Sequence, residues 1–400
     1  MRQRNTHNPA DAAEQFSSTG SLVEIQEYGS GHVHDTFLVT IEREGNCHAG
    51  AAPMNDENQP VRSPFRNGGQ GDFQRRERFI LQRINTRVFH QPELLMRNMS
   101  TVTGHLQRRL QFDSVGGGRR WDVPCVLHAQ DGRDCWMDPH GAFWRAMSFI
   151  ERAESFDTIQ DEGHAGEVGY ALGTFHSLIC DLPMENLADT LPGFHITPLY
   201  LRHYDRVVEK KRDRSSPELS CALRFVTERR AFVEVLEEAK SQGKLRLLPI
   251  HGDPKVNNVM IDSVTGLAVS LVDLDTVKPG LVLYDIGDCL RSSCNPLGEA
   301  VDLWESVPFE ADLCRAILRG YLSAAKGLLT RNDCEYLYDA VRLIAFELGL
   351  RFLTDYLEGD VYFKVRHREH NLHRALVQFQ LTQSIESQEE AIRRIVLDLR

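Results

Sequence analysis

The segment HGDPKVNN at residues 251–258 places polar side chains between two apolar runs, KLRLLPI and VMIDSVTGLAVSLVD. Asn258 follows Asp253 by five residues, and Asp273 ends the second apolar run. This run contains the turn sequence SVTG, so it is predicted to fold as a hairpin that returns Asp273 to the side of Asn258. Oxygen ligands from Asn and Asp suit Mg²⁺, which keeps substrate phosphates among its ligands. Asp253 remains to accept a hydroxyl proton, a division of roles that serves phosphoryl transfer.

Each residue of this set also has a plainer interpretation. Asp253 and Asn258 would cap turns, and Asp273 would end a strand. The order of the three residues favours catalysis over that interpretation. Asp275 alternates with Asp273 and is expected to share its face, either as a second metal ligand or as a structural acceptor.

Further polar residues flank the hairpin. His251 is predicted to have a structural role at the start of the loop. In LVLYDIGDCLR, Asp285 and Asp288 would either stabilise the loop by accepting backbone N–H bonds or begin a helix, where Asp favours the first turn. Asp285 is predicted, like His251, to be structural.

Composition excludes several classes of protein. The 400 residues carry a net charge of -11, which argues against a nucleic-acid binder because duplex binding depends on phosphate neutralisation. No apolar run approaches the roughly 20 residues of a membrane span, and the N-terminus has no apolar core of a secretory signal. Nine unpatterned cysteines indicate reduced thiols, so we expect a cytoplasmic protein. We also expect a monomer without a membrane partner.

The pattern of apolar residues predicts an α+β architecture with two lobes. Residues 1–20 are expected to be disordered, and residues 21–150 are expected to form a small β-rich N-lobe with one helix. Residues 43–76 are rich in Gly, Asn, Gln and Arg, which predicts a flexible insertion in a hairpin. A short hinge is expected at residues 148–154, before a larger helical C-lobe at residues 151–400 that holds the catalytic loop.

Long stretches of the chain resemble one family of enzymes. HGDPKVNNVMID and LVDLDTVKPGLVLYDIGD are similar to the loops of aminoglycoside and choline kinase-like phosphotransferases, whose pattern is H-G-D, four residues and Asn. YGSGHVHDTFLV, GFHITPLYL and FELGLRFLTDYLEGDVYFKVRHREHNLHRA resemble the N-acetylhexosamine 1-kinase type within that family. The resemblance implies a bilobal protein-kinase-like fold with ATP between the lobes. It also implies Asp253 as the catalytic base, and Asn258 and Asp273 as metal ligands.

On the nucleotide side, the resemblance implies contacts from the first hairpin, the third strand and the hinge. The turn residues Gly29, Ser30 and Gly31 would bring backbone N–H groups close to phosphates, although such a turn also fits a plain hairpin. The third strand of the kinase template carries a Lys that pairs with a helix Glu. Here that position holds Arg83, which either replaces the Lys and pairs with Glu93 or faces solvent. Backbone groups of the hinge, including Met147 and Phe149, would contact the adenine.

On the acceptor side, two polar segments of the helical lobe are candidates. One contains His195 and Thr197, and the other contains Arg351 and Tyr362. A salt bridge between Arg351 and Asp355 on a solvated helix face is the alternative. The family match points to Arg351 and Tyr362 as hexosamine contacts, together with one loop residue, His32.

These residues predict an ATP- and Mg²⁺-dependent kinase of a small hydroxylated molecule, and the resemblance implies a free sugar, with an N-acetylhexosamine phosphorylated at its anomeric hydroxyl as the favoured reaction. Gly252 stands where protein kinases have the Arg of HRD, which favours a small-molecule substrate. The alternatives are another small acceptor, such as choline, ethanolamine, an aminoglycoside or a thiosugar, and a catalytically inactive binding protein with the same fold.

Overall fold

The computed structural model describes residues 7–17, 20–29, 33–43, 75–112, 115–116, 118–210, 216–299, 301 and 303–399. The chain divides into two compact units, of which the first comprises Met1–Ile84 and Val126–Phe149. The second comprises Asn85–Cys125 and Ile150–Arg400. The boundary after Phe149 falls inside the predicted hinge. The sequence assigned residues 85–125 to the N-lobe, and this boundary is wrong because they pack with the helical unit.

The first unit is built on an antiparallel sheet of six strands in the order β1-β2-β3-β6-β4, with β5 paired to β6. Its elements are α1 (Pro9–Phe16), β1 (Ser21–Glu27), β2 (Asp35–Arg43), β3 (Arg75–Arg83), β4 (Val126–Leu127), β5 (Trp136–Met137) and β6 (Phe143–Ser148). The predicted hairpin before residue 43 is thus β1 and β2. The predicted insertion separates β2 from β3, and residues 44–74 lie outside the described residues.

Helix α1 corrects the prediction of disorder at its own residues, Pro9–Phe16, and residues 1–6 and 18–19 of the predicted stretch lie outside the described residues. Asn8 caps it, since the side-chain oxygen accepts a hydrogen bond from Ala10 N at 3.1 Å, and Pro9 occupies the first turn. Ala13 and Phe16 are buried in the same hydrophobic cluster as the sheet residue Leu81. Apolar burial against the sheet therefore orders a segment whose composition alone predicted no structure.

The second unit is mainly helical and contains two small sheets. Its elements are α2 (Pro92–Phe112), β7 (Ala153–Glu154), α3 (Glu162–Ile179), α4 (Thr197–Lys210), α5 (Pro217–Arg229), α6 (Val235–Ser241), β8 (Leu247–Ile250), β9 (Val259–Asp262), β10 (Ala268–Leu271), β11 (Lys278–Leu281), α7 (Val282–Ser293), α8 (Ala311–Ala324), α9 (Arg331–Glu358), α10 (His370–Ser387) and α11 (Glu389–Asp398). The sheets are antiparallel and have the orders β10-β9-β7 and β11-β8.

Two long stretches of helical apolar periodicity in the C-terminal part of the sequence are each divided between two helices. The apolar pattern of residues 218–240 forms α5 and α6 with a 3-10 turn at Arg230–Phe232 between them, and the pattern of residues 375–399 forms α10 and α11. None of the helices in the described ranges is long and apolar enough to cross a membrane.

Helix α9 is the longest described helix of the second unit, and its ends are defined by local sequence. Thr330 and Asp333 form a reciprocal capping box at its start, and Gly359 ends it in the left-handed conformation with φ 102°. Phe346, Leu350 and Leu353 of α9 lie in a core shared with α4, α5 and α10. The helix is therefore a rigid support for the polar residues on its other positions.

Candidate active site

The hairpin of β9 and β10 brings the two ends of the polar constellation together. Val259 pairs with Leu271, and the next residue, Val272, donates its backbone N–H to Asn258 O at 2.8 Å. Asp273 therefore follows directly on the residue that is bonded to Asn258. Asn258 in turn donates from Nδ2 to the backbone carbonyl of Asp253 at 2.7 Å. The described structure thus places the three predicted residues in one loop cluster.

Asp285 holds the start of the loop at residues 251–258 from helix α7. Its Oδ2 accepts the backbone N–H of His251 at 2.6 Å, and its Oδ1 accepts that of Gly252 at 2.8 Å. His176 of α3 contacts the same carboxylate through Nε2 at 2.8 Å. Burial by itself would raise the pKa of Asp285, but the hydrogen bonds from His176 and Gly252 hold it below its ordinary value. Asp285 also lies in the first turn of α7, so both roles considered for it coexist.

His251 connects the loop to the far end of the hairpin. Its Nε2 lies 3.0 Å from Val272 O, and its Nδ1 lies 3.2 Å from the backbone N of Asp253. These distances fit a tautomer that donates from Nε2 and accepts at Nδ1. The ring therefore sets the position of the Asp253 backbone relative to the strand that leads to Asp273.

The predicted common face of Asp273 and Asp275 is wrong. Asp273 adopts the left-handed conformation with φ 66°, and a 3-10 turn, Leu274–Thr276, follows it instead of strand. The alternation of an extended strand is lost at this point, so Asp273 is exposed whereas Asp275 is 3% exposed. Of the two carboxylates, Asp273 is the one accessible to a ligand from solvent.

Asp288 lies on the same helix as Asp285 but has different contacts. Its Oδ1 accepts hydrogen bonds from Nε and Nη2 of Arg291 at 2.9 and 2.7 Å. Burial raises the pKa of Asp288 above its ordinary value, and the neighbouring carboxylate of Asp253 adds to that rise. The described contacts of Asp288 thus connect it to Arg291 and not to the backbone of the loop.

Lys255 is a residue of the site that the sequence analysis missed. Its Nζ lies 2.8 Å from Asp253 Oδ2. Burial disfavours charge on Lys255, but the carboxylates of Asp253 and Asp273 outweigh burial and raise its pKa above the ordinary value. An ammonium group therefore lies within the field of both carboxylates. Its place two residues after Asp253 in HGDPK was the available signal.

His195 and Thr197 do not face an open pocket, which corrects their prediction as acceptor contacts. His195 is 3% exposed; its Nε2 lies 2.6 Å from Gly252 O and its Nδ1 lies 3.0 Å from Glu347 Oε1. The Thr197 hydroxyl donates to Glu347 Oε2 at 2.7 Å. The polar groups of both side chains are thus engaged with Glu347 of α9 and with the catalytic loop. Glu347 is a second residue of this region that the sequence analysis missed.

Arg351 lies one turn after Glu347 on α9 and is surrounded by aromatic rings. Its guanidinium carbon is 5.0, 5.2, 5.8 and 5.5 Å from four ring centroids, which belong to Phe194, Tyr200, Tyr362 and Phe363. In the part of the chain that the structure describes, no carboxylate lies within ion-pair distance of Arg351. Burial would lower the pKa of Arg351, but Tyr200, Tyr362, Glu347 and Asp253 raise it above the ordinary value. The guanidinium is therefore charged and within the field of Asp253.

Asp355 has a structural role and is not the salt-bridge partner of Arg351 that the alternative required. Its Oδ1 accepts the backbone N–H groups of Val361 and Tyr362 at 2.9 and 2.8 Å. Its Oδ2 accepts from Phe363 N at 3.0 Å and from Asn371 Nδ2 at 2.9 Å. One buried carboxylate thus orders the loop that presents two of the rings around Arg351.

Asp355→Ala is expected to destabilise the second unit and to loosen this loop. Removing this buried carboxylate leaves three backbone N–H groups without their acceptor and takes one of two acceptors from Asn371 Nδ2, which costs about 3 kcal/mol or more. Thermal unfolding should show a lower Tm for Asp355→Ala. Glu335→Ala is the matched control on the same helix, because Glu335 pairs only with Arg331 on the exposed face and such pairs contribute about 0–1 kcal/mol. Equal Tm values for the two variants would contradict the role of Asp355.

The residues predicted for the first hairpin are described only in part. Gly29 has φ 76°, a conformation that favours glycine, and an added Cβ would meet no atom within 4 Å. Ser30, Gly31 and His32 lie outside the described residues. Gly29 therefore has the backbone conformation and the free space that a glycine at the end of β1 requires, and its phosphate contact stays a prediction.

Arg83 has a carboxylate partner in its own sheet, which is Asp35 and not Glu93. Its Nε donates to Asp35 Oδ2 at 2.9 Å, and Nη2 contacts the same oxygen; the two residues are opposite each other in the β2–β3 ladder. Glu93 is exposed in the first turn of α2, in the second unit. The guanidinium of Arg83 thus has its charge partner within the sheet, and its predicted phosphate contact is untested.

The two predicted hinge residues differ in their backbone surroundings. Met147 lies inside the sheet, opposite Ile80 of β3 and Val126 of β4. Phe149 follows the end of β6, and its ring packs against Tyr28 at 5.9 Å and under the guanidinium of Arg78 at 4.3 Å. The backbone of Phe149 therefore lies beyond the ladder, and the adenine contact of both residues stays a prediction.

The donors of the hairpin fit Mg²⁺ by their chemistry. Asn258 uses its amide nitrogen on Asp253 O, so its Oδ1 is the atom left to act as a ligand, and Asp273 supplies an exposed carboxylate. Among the described residues, no group of three or more His, Cys, Asp or Glu is arranged to hold a metal. Two oxygen donors suffice for Mg²⁺ when substrate phosphates and water complete its coordination.

Comparison with known proteins places the chain in a family. The model of the phosphotransferase enzyme family matches residues 65–325, which is more than half of the sequence. The chain therefore belongs to the phosphotransferase enzyme family. It is a small-molecule phosphotransferase with an alcohol group as acceptor.

Solved structures show the same kinase-like α+β fold. A choline kinase from Cryptosporidium parvum is similar with a TM-score of 0.53 and 14% identity, covering 94% of this chain and 91% of that one. A microcompartment-associated aminopropanol kinase has a TM-score of 0.51 and 16% identity over 96% and 98% of the chains. An aminoglycoside phosphotransferase from Alicyclobacillus acidocaldarius has a TM-score of 0.50 and 14% identity over 100% and 97%. At these identities the likeness concerns the fold alone.

Proposed function

We propose that the protein is an ATP- and Mg²⁺-dependent kinase of a free sugar, with an N-acetylhexosamine as the favoured acceptor and its anomeric hydroxyl as the site of phosphorylation. One observation carries the choice of acceptor: Arg351, a charged guanidinium without a carboxylate partner in the described chain, lies among four aromatic rings and within the field of Asp253.

Asp253 is the proposed base of the reaction. Its carboxylate accepts the proton of the acceptor hydroxyl while that oxygen bonds to the γ-phosphorus of ATP and the bond from phosphorus to the β,γ-bridging oxygen breaks. ADP leaves with the electron pair of the broken bond. Asn258 holds the backbone carbonyl of Asp253, and His251 contacts its N–H, so the base is oriented before the substrate binds.

Neutralising the negative charge of the phosphates is the second requirement of this reaction. Asn258 and Asp273 would hold Mg²⁺, which supplies neutralisation of the β- and γ-phosphate oxygens when bound. Lys255 is the further proposed cation, because its ammonium group is already shared by the fields of Asp253 and Asp273. In this arrangement Lys255 would contact the transferred phosphoryl group while its Nζ stays paired with Asp253 Oδ2.

The surroundings of Arg351 favour a sugar with an acylamino group. A guanidinium donates hydrogen bonds in a plane and suits a carbonyl oxygen, and the exposed ring of Tyr362 offers an apolar face and a hydroxyl to a sugar ring. A wrong acceptor that left such donors unpaired would lose about 1–3 kcal/mol for each of them. The surroundings of Arg351 can therefore reject substrates that lack a carbonyl oxygen to accept its hydrogen bonds.

Choline or ethanolamine is the second candidate, because solved proteins with this fold include a choline kinase. Four rings around one point would also suit a quaternary ammonium group. In this chain, however, the cation among the rings is Arg351 itself, and a second cation beside it would be repelled. The same argument applies to a polycationic aminoglycoside.

The proposed function is tested by measuring ADP release with N-acetylhexosamines, unsubstituted hexoses, choline and an aminoglycoside as acceptors. We expect the highest kcat/KM with an N-acetylhexosamine and only slow turnover with choline. Efficient choline phosphorylation would contradict the proposed acceptor class. Nucleotide binding without turnover on any acceptor would favour the inactive binding protein instead.

Arg351→Ala is expected to raise KM for the sugar about 10- to 100-fold and to leave KM for ATP near its wild-type value. The variant removes one charged donor to the acceptor, worth about 1.5–3 kcal/mol, and no proposed phosphate contact. Steady-state kinetics with each substrate varied in turn measure the two effects separately.

Arg342→Ala is the matched control for this variant. Arg342 lies on the same helix and also stacks on rings, with its guanidinium carbon 4.1 Å from the Phe232 centroid and 5.4 Å from that of Tyr338. Its kinetic constants should equal those of the wild type. A defect of Arg351→Ala that affected only KM for ATP would show that Arg351 binds nucleotide and not the acceptor.

A further inference from the structure

Gly252, the residue before the proposed base, is held by hydrogen bonds at both its N–H group and its carbonyl oxygen. Asp285 Oδ1 accepts the N–H of Gly252 at 2.8 Å, and His195 Nε2 lies 2.6 Å from its carbonyl oxygen. Gly252 has φ 88°, and a Cβ at this position would lie 2.7 Å from the carbonyl oxygen of Thr276. Since Gly252 is bonded to Asp253, the two contacts fix where the backbone of the base begins.

The contacts of His195 define its protonation. Nε2 faces a carbonyl oxygen and Nδ1 faces Glu347 Oε1, and neither a carbonyl nor a carboxylate can donate a hydrogen bond. Both ring nitrogens therefore carry protons, which makes His195 an imidazolium. Burial would lower the pKa of His195, but Glu347 raises it above the ordinary value; burial would raise the pKa of Glu347, but His195 lowers it. Both shifts agree with a buried ion pair.

Glu347 completes the arrangement from helix α9. Its second carboxylate oxygen, Oε2, accepts the hydroxyl of Thr197 at 2.7 Å, so each oxygen of this buried group has a donor. Arg351 follows Glu347 by four residues, which places the two on the same side of the helix. Phe194, which packs against the ring of His195 at 4.0 Å between centroids, also lies under Arg351.

We propose that His195, oriented by Glu347 and Thr197, is a positioning residue for phosphoryl transfer: through its hydrogen bond to Gly252 O it fixes the place of Asp253 relative to the acceptor that Arg351 binds. The inference rests on the proposed role of Asp253 as the base. One rigid helix then carries both the acceptor guanidinium and the carboxylate that orients the catalytic loop. The hydrogen bond to Gly252 O comes from a charged donor, which makes it stronger than one from a neutral imidazole.

The test compares His195→Gln, Glu347→Gln and the double variant by steady-state kinetics. A displacement of the base by about 1 Å is enough to lower kcat roughly 100-fold, so each single variant should show a loss of that order. KM for ATP should stay near its wild-type value, because no proposed nucleotide contact changes. The double variant should recover at least part of kcat. A Gln at position 195 can donate to Gly252 O and accept from the amide of a Gln at position 347, which restores a neutral chain of hydrogen bonds.

His203→Gln is the matched control. His203 of α4 contacts Glu358 Oε2 of α9 at 3.1 Å, so a second His–Glu pair, which is solvent-exposed, reaches the same helix α9 as His195 does. This variant should keep the wild-type kcat. Thr197→Val is a milder second probe, since it removes only the hydroxyl that binds Glu347; its kcat should fall less than that of His195→Gln.

The outcomes separate this inference from the proposed function. If Asp253→Asn keeps the wild-type kcat, the assignment of the base fails. If Asp253 is required but His195→Gln, with a Tm close to wild type, keeps the wild-type kcat, the positioning inference is overturned. If His195→Gln does not fold, Thr197→Val decides, and an unchanged kcat for it would equally overturn the inference. A loss of kcat in both single variants, without any recovery of kcat in the double variant, would contradict the proposed chain of hydrogen bonds.

Discussion

Asp253→Asn is expected to lower kcat about 10²- to 10⁴-fold, the usual contribution of a positioned general base. The amide has nearly the shape of the carboxylate but cannot take a proton from the acceptor hydroxyl. Binding of Mg-ATP should change little, because the proposed metal ligands, Asn258 and Asp273, are intact. Kinetics give kcat, and a calorimetric titration with a non-hydrolysable ATP analogue gives the affinity.

Asp189→Asn is the control for this result. Asp189 Oδ1 lies 3.0 Å from Lys278 Nζ, so it forms a carboxylate–lysine pair in the same unit, as Asp253 does with Lys255. Turnover of Asp189→Asn should equal that of the wild type. Wild-type turnover in Asp253→Asn would remove Asp253 from the chemistry and leave only the family assignment.

Asp273→Asn is expected to weaken Mg-dependent nucleotide binding at least about tenfold. Even the loss of an outer-shell partner lowers metal affinity roughly 10- to 100-fold, and this change removes the charge of a proposed ligand. Asn tolerates the left-handed conformation that Asp273 adopts at φ 66°, so the backbone should keep its course. The measurement is nucleotide affinity with and without Mg²⁺, and only the affinity with metal should fall.

A second aspartate in the left-handed conformation supplies the matched control. Asp360 has φ 62° and accepts a hydrogen bond from Asn371 Nδ2 at 2.9 Å, with no proposed part in metal binding. Asp360→Asn should leave the Mg-dependent affinity unchanged. Equal affinities for Asp273→Asn and the wild type in the presence of Mg²⁺ would contradict the ligand role of Asp273.

The hairpin and its polar ends were predictable because they depend on local signals. The turn sequence at residues 263–266, flanked by apolar runs, fixes the length of the two strands, and strand pairing then brings Asp273 next to Asn258. The helical unit was predictable for a similar reason, because the periodicity of apolar residues along a helix can be recognised without knowing how the helices pack. For Asp285 the sequence left two roles open, and only its contacts with the backbone N–H groups of His251 and Gly252, 34 and 33 residues away, show that it accepts hydrogen bonds from the loop.

The remaining features depend on tertiary contacts. The spacing of two residues between Asp273 and Asp275 predicted a common face. The left-handed conformation of Asp273 and the 3-10 turn after it break the alternation of a strand. His195 is polar in an otherwise apolar segment, which predicted a ligand contact. Its actual partners, Gly252 and Glu347, are 57 and 152 residues away in sequence. Only the three-dimensional structure shows that the polar side chain of His195 contacts other residues of the protein.

The most direct test of the proposed function is a ³¹P NMR measurement of the product formed from ATP and an N-acetylhexosamine. The wild-type protein with Mg²⁺ should produce a sugar 1-phosphate signal, with the phosphorus coupled to the anomeric proton, and Asp253→Asn should not produce it above background. A signal of free phosphate alone, a phosphate on another hydroxyl, or efficient formation of phosphocholine in a parallel reaction would contradict the proposed sugar 1-kinase activity.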